Sequence, residues 1–163
     1  MVKQEPAALK VAVITSSFNE FITKKLYDGA IEALKEMGVD TEDIMSVWVP
    51  GAFELPLALA EVAEQGYDAA VCLGTVIRGE TSHFDLVAGE AARGIASISV
   101  AKRFPVGFGV ITSETTEQAL ERAGGTRGNK GREAALAAVE MARTVSALRS
   151  EGKSERLDSS ESR

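Results

Sequence analysis

The chain has 163 residues, of which 45% are hydrophobic, a size and apolar content that fit one domain with an ordinary core. Its net charge of -6 argues against the basic face that a nucleic-acid partner requires. A single cysteine cannot form an internal disulfide, and one His with one Cys leaves no cluster of soft or imidazole ligands for zinc or iron. The N-terminus MVKQEPAAL has no apolar run of signal-peptide length, and nowhere do about 18 uninterrupted apolar residues occur, so a cytoplasmic chain that does not span a membrane is expected.

Short apolar runs alternate with helical periodicity, the signature of β/α units around a parallel sheet. LKVAVITSS (9–17) is the first strand. The helix after it places Ile22, Leu26, Ala30, Ala33, Leu34 and Met37 on one face and closes at Gly38. DIMSVWVPG is the second strand, and ELPLALAEVAEQG is a short helix with Pro56 in its first turn and Gly66 at its end. DAAVCLGTVI, almost entirely apolar, is expected at the middle of the sheet, with Cys72 as a small hydrophobe. The third helix begins near His83 and presents Val87, Ala91, Ile95 and Ile98. PVGFGVIT is the fourth strand, and TTEQALERAGG and NKGREAALAAVEMARTVSAL are closing helices. Residues 1–149 thus form one α/β domain of four strands and five helices. Residues 150–163, rich in serine and mixed charges around Leu157, are expected to be a disordered charged tail.

Parallel α/β sheets bind ligands beyond the carboxyl ends of their strands. Those ends are TSSFN, WVPGAFE, GTVIRGETSH and GVITSETT, and they carry Phe18, Phe53 and His83. The single His is the one side chain that titrates near neutrality without help. Its spacing alone fits either a helix-start residue or a working one. Its position favours the second, because the amides of Glu80, Thr81 and Ser82 precede a helix whose N-terminus attracts anions. A serine hydrolase is disfavoured by the lack of a G-x-S-x-G elbow. GGTRGNKG (124–131) lacks the spacing of a phosphate loop and reads as a turn between helices, although Lys130 at a helix start can reach an anion. Phe18 fits a core or staple aromatic as well as a binding one. Core packing is the expectation for Phe53 and Phe108, and a solvated face for Arg122.

SSFNEFITKKLYDGAIEAL, VPGAFELP, GTVIRGETSHFDLV and PVGFGVITSETTEQALERAGGTRGNKGREAALAAVEMA occur in order, and over residues 9–148 the chain resembles the 6,7-dimethyl-8-ribityllumazine synthases of riboflavin biosynthesis. The resemblance implies a flavodoxin-like three-layer α/β/α subunit. It implies assembly as a pentamer or as sixty subunits in an icosahedral shell, with active sites between neighbours. It also implies condensation of 5-amino-6-(D-ribitylamino)uracil with 3,4-dihydroxy-2-butanone 4-phosphate, without cofactor or metal. Archaeal riboflavin synthases and a non-catalytic shell or flavin-binding module of the same fold are the alternatives; keeping Phe18, His83 and Arg122 together disfavours the module.

Carried over by position, the resemblance implies that Phe18 stacks on the pyrimidine while Ala52, Phe53 and Glu54 hold the ribityl chain and ring edge. Thr75, Val76 and Ile77 would read the uracil edge, and Phe108 would close the pocket from the adjacent subunit. Main-chain amides of Glu80 and Thr81 would hold the phosphate, Arg122 of the neighbour would pair with it, and His83 would donate protons. Lys130 lies near the phosphate in the GNKG turn, and Arg78 is placed to neutralise the Glu80 carboxylate. Ser16 and Ser17 stand where an Ala-Arg pair is common, and SET where Thr-Asp-Thr is frequent. The short turn RAGGTRGNKG goes with shells more often than with free pentamers.

Overall fold

The computed structural model describes residues 8–161, apart from the side chains of residues 157, 158 and 161. The expectations for residues 1–7 and for the last two residues of the tail fall outside them.

Four strands, β1 (Val11–Ser16), β2 (Ile44–Val49), β3 (Ala69–Ile77) and β4 (Val106–Ser113), form one sheet in the order β2-β1-β3-β4. All three pairings are parallel; Val11 stands beside both Ile44 and Ala69, and Cys72 beside Phe108. The apolar runs of β1 and β3 belong to the two central strands, whose side chains are covered from both faces. Helices α1 (Glu20–Glu36), α4 (Thr116–Glu121) and α5 (Lys130–Glu161) pack on one face, against Val11, Val13, Val71, Leu73 and Ile111. The opposite face carries α2 (Leu55–Ala63) and α3 (His83–Lys102) against Ala12, Ile14, Ala70 and Cys72. The fold is therefore a three-layer α/β/α sandwich with a four-stranded parallel sheet. No described helix is long and apolar enough to cross a membrane.

Close backbone contact sets the α5 side of the sheet. A Cβ at Gly107 would run into the Ala134 carbonyl oxygen, and one at Gly131 into that of Leu26, so α5 lies directly on β4 and α1. The α3 side is looser. Only Ala91 and Ile95 of α3 are buried, while Val87 and Ile98 are half-buried.

That difference overturns the core expectation for two aromatics. Phe108 is 50% exposed and Phe53 60% exposed. On β4, Gly107, Gly109, Ile111 and Ser113 turn inward under α5, and Phe108 points to the face that α3 leaves partly open. The GGTRGNKG turn is a small antiparallel hairpin, β5 (Ala123–Gly125) with β6 (Gly128–Asn129), made possible by left-handed backbone at Gly124 (φ 103°) and Gly128 (φ 76°). The supposed tail differs as well. α5 runs on as helix to Glu161 with mostly exposed side chains, because lysine, glutamate and arginine support a helix even where little apolar surface is buried.

Candidate active site

A cavity of about 910 Å³ opens beyond the carboxyl ends of β1, β2 and β3. This is the crevice expected for a sheet in which the chain steps outward from β1 to β2 and then crosses to β3. Phe18 enters from the β1 end, Ala52, Phe53 and Glu54 from the turn after β2, Thr75, Val76 and Ile77 from β3, and Thr81 and His83 from the start of α3. Pro50, Gly51, Gly79, Phe84, Leu86, Val87 and Glu90 complete the lining; none is expected at the site from the sequence, which places Val87 only on the apolar face of its helix. Helical spacing holds the signal for part of that set, since residues 83, 86, 87 and 90 share one face of α3.

The walls are apolar and open. Phe18 is 69% exposed, so its ring is neither core nor staple; its amide donates to the Pro50 carbonyl at 3.0 Å, which fixes the backbone beneath it. Such an uncovered ring is a stacking surface for a planar heterocycle. The hydroxyls of Ser16 and Thr75, at the ends of β1 and β3, are buried and have no partner among the described residues.

The segment joining β3 to α3 supplies the polar wall. The Arg78 amide donates to the Ser113 carbonyl at 2.8 Å, extending the sheet by one residue. Beyond it, the hydrogen bonds described for residues 79–82 stay within the turn: His83 N to Thr81 Oγ1 at 3.4 Å, and Asp85 N and Leu86 N to the Ser82 carbonyl. The amides of Glu80 and Thr81 are not used by the described residues, as an anion-holding turn requires. Glu80 itself does not line the cavity.

Arg78 does not pair with Glu80. Its Nε donates to Glu114 Oε1 at 3.0 Å, its Nη2 lies 3.5 Å from Asp85 Oδ1, and its Cζ stands 4.4 Å from the centre of the Phe84 ring. The hydrogen bond to Glu114 raises the guanidinium pKa above its ordinary value, with smaller help from the charges of Glu114 and Asp85. Sheet register explains the choice, since Arg78 follows β3 where Glu114 follows β4, side by side.

Besides Glu80, three predicted residues do not line this cavity within one chain: Phe108, Arg122 and Lys130. Arg122 caps α4 rather than pointing freely into solvent. Its Nη1 donates to the Gln118 carbonyl at 2.9 Å and stands 3.7 Å from Glu121, with the side chain 33% exposed. Lys130 Nζ pairs with Glu133 at 2.8 Å. The buried Cys72 thiol, pushed up to about 12 by desolvation, takes no part in the site.

Comparison with known protein families matches residues 8–146 to a family described as 6,7-dimethyl-8-ribityllumazine synthase.

Proposed function

The chain belongs to the 6,7-dimethyl-8-ribityllumazine synthase family, and from that premise we propose how its residues divide the work. It is a transferase of riboflavin biosynthesis that joins 5-amino-6-(D-ribitylamino)uracil to 3,4-dihydroxy-2-butanone 4-phosphate, releasing phosphate and water. Small-molecule substrates and oligomeric assembly go with the family.

The observation that carries the residue assignment is the single cavity that gathers Phe18, Phe53, Glu54, Thr75, Thr81 and His83 from four separate stretches of sequence. In our reading the pyrimidine stacks on Phe18, with Ala52, Phe53 and Glu54 along the ribityl chain and Thr75, Val76 and Ile77 at the uracil edge. The amides of Glu80 and Thr81 hold the phosphate. A backbone N–H carries no charge to be desolvated, and several converging on one anion act as a preorganised site. The substrate amine then attacks the ketone, a first water leaves as the imine forms, phosphate departs, and the ribitylamino nitrogen closes the ring on the remaining carbonyl with loss of a second water, completing the lumazine. His83 gives and takes protons in these steps, which is worth about 10² to 10⁴ in rate. Holding both substrates together contributes more, with effective molarities on the order of 10⁵ M.

Phe108, Arg122 and Lys130 have no place in a one-chain cavity, and we assign them to the site of a neighbouring subunit in a pentamer or a sixty-subunit shell. The exposure of Phe108 supports this, because a half-uncovered ring on a sheet face is available to a partner surface. The guanidinium of Arg122 suits a phosphate, which it contacts through two parallel N–H groups. Low cysteine content with a buried thiol supports a cytoplasmic setting. Incubating the protein with both substrates and following lumazine absorbance tests the activity; the particle mass in solution tests the assembly. No product from the two substrates would overturn the reading.

A further inference from the structure

We propose that Arg78 is a positioning residue that locks the phosphate-holding turn and His83 to the sheet. The inference rests on the functional reading above.

Only one end of the turn is fixed by main chain. The Arg78 amide is tied to Ser113, after which the described hydrogen bonds of residues 79–82 reach no farther than Leu86. The far end would therefore be free to shift as α3 shifts, and α3 is the less deeply packed helix, with Ala91 and Ile95 alone buried. The Arg78 side chain bridges that gap. It starts at the fixed end, takes Glu114 beyond β4 with its Nε, and reaches Asp85 with Nη2 while its guanidinium plane meets Phe84. Phe84 and Asp85 directly follow His83, so the bridge fixes the imidazole relative to the amides of Glu80 and Thr81.

The chemistry of the fork matters more than its charge. At 40% exposure for Arg78 and 62% for each carboxylate, the ion pairs are screened and add little to global stability. What a planar guanidinium supplies is simultaneous contact in three directions, two through N–H groups and one through its face. A lysine keeps the charge but offers one compact ammonium, which cannot hold Glu114 and Asp85 while lying over Phe84. A misplacement of about 1 Å at a catalytic group can cost up to about a hundredfold in rate.

The test compares the full-length protein with Arg78→Lys, Arg78→Ala and Glu114→Gln. Wild type is assayed first; if it does not convert the two substrates, the functional reading fails, whereas the clamp is judged separately by hydrogen exchange at residues 79–85. Expected results for Arg78→Lys and Arg78→Ala are faster exchange there and an unchanged thermal midpoint. The KM for the butanone phosphate should rise about tenfold or more, with a fall in kcat and the pyrimidine KM within about twofold. Glu114→Gln keeps an acceptor for Nε and should retain most activity. Wild-type exchange in Arg78→Ala, wild-type kinetics in both Arg78 variants, or an equal rise in both KM values with a lowered midpoint would overturn the proposal.

Discussion

The main-chain N–H of Lys130 donates to the carbonyl oxygen of Arg122 at 2.8 Å, closing the short hairpin between α4 and α5. The backbones of two cations, Arg122 before the hairpin and Lys130 after it, are thereby joined, and each side chain rests on an acidic neighbour, Glu121 or Glu133. In the proposed shared site, this edge of the hairpin faces the phosphate bound by another subunit.

Arg122→Ala should therefore weaken phosphate binding more than it alters chemistry. A charge-assisted hydrogen bond is worth about 1.5–3 kcal/mol, which corresponds to a rise of about ten- to a hundredfold in the KM for the butanone phosphate. Steady-state kinetics with each substrate varied separately check this, and an unchanged KM would remove Arg122 from the site. Lys130→Ala should show a smaller effect in the same direction.

His83→Ala should slow turnover by about 10² to 10⁴ without abolishing it, since stacking on Phe18 and phosphate capture remain. The quantity to measure is kcat at saturating levels of both substrates. Complete loss of product at high enzyme concentration would mean that proton handling is indispensable and that proximity contributes less than proposed.

A site shared between subunits should also allow complementation. When His83→Ala and Arg122→Ala chains are unfolded together and co-assembled in equal amounts, about a quarter of the sites receive both native residues from adjoining subunits. Assayed with butanone phosphate well below the KM of the Arg122→Ala parent, activity should then approach about a quarter of the wild-type value, above either parent alone. A mixture no more active than its parents would place both residues in the same subunit's site.

Gly107→Ala should destabilise the fold, because the new methyl group meets the Ala134 carbonyl oxygen on α5 rather than a yielding side chain. Overpacking of this kind costs about 1–3 kcal/mol, visible as a lower denaturant midpoint. Gly131→Ala should behave alike against the Leu26 carbonyl, whereas Gly152→Ala, with Arg156 Nη2 at 3.7 Å as its nearest neighbour, should not lower the midpoint.

Cys72 should resist an aromatic disulfide reagent at pH 8 in the folded protein and react at once in denaturant, because burial holds its pKa at about 12. The folded state keeps this proton while the unfolded thiol, ordinarily near 9.0, loses it. Its contribution to stability is thus complete below pH 9 and is lost as pH rises toward about 12. On the acid side the sign reverses for Glu36. The hydrogen bond from Arg132 lowers its pKa below 4.5, so this pair favours folding above that value and ceases to as the carboxylate is protonated. Equilibrium denaturation of wild type, Cys72→Ala and Glu36→Gln across pH resolves the two effects.

Periodicity and composition by themselves determined the order of strands and helices, the central place of DAAVCLGTVI, and the gathering of Phe18, Phe53 and His83 at strand ends. These follow from local rules: an apolar run buried on both faces, a helical stripe of period 3.6, and right-handed crossovers that put strand ends on one side. Periodicity marks which face of an element is apolar, but not how completely a neighbour covers it. The exposure of Phe108, the place of Leu86 and Glu90 along the cavity wall, and the hairpin at residues 123–129 were settled only in three dimensions. So was the partner of Arg78, which lies 36 residues away at Glu114 and not two residues away at Glu80. Sheet register sets β3 and β4 side by side and sends both residues out of the same end, and that neighbourhood exists only once the strands have paired.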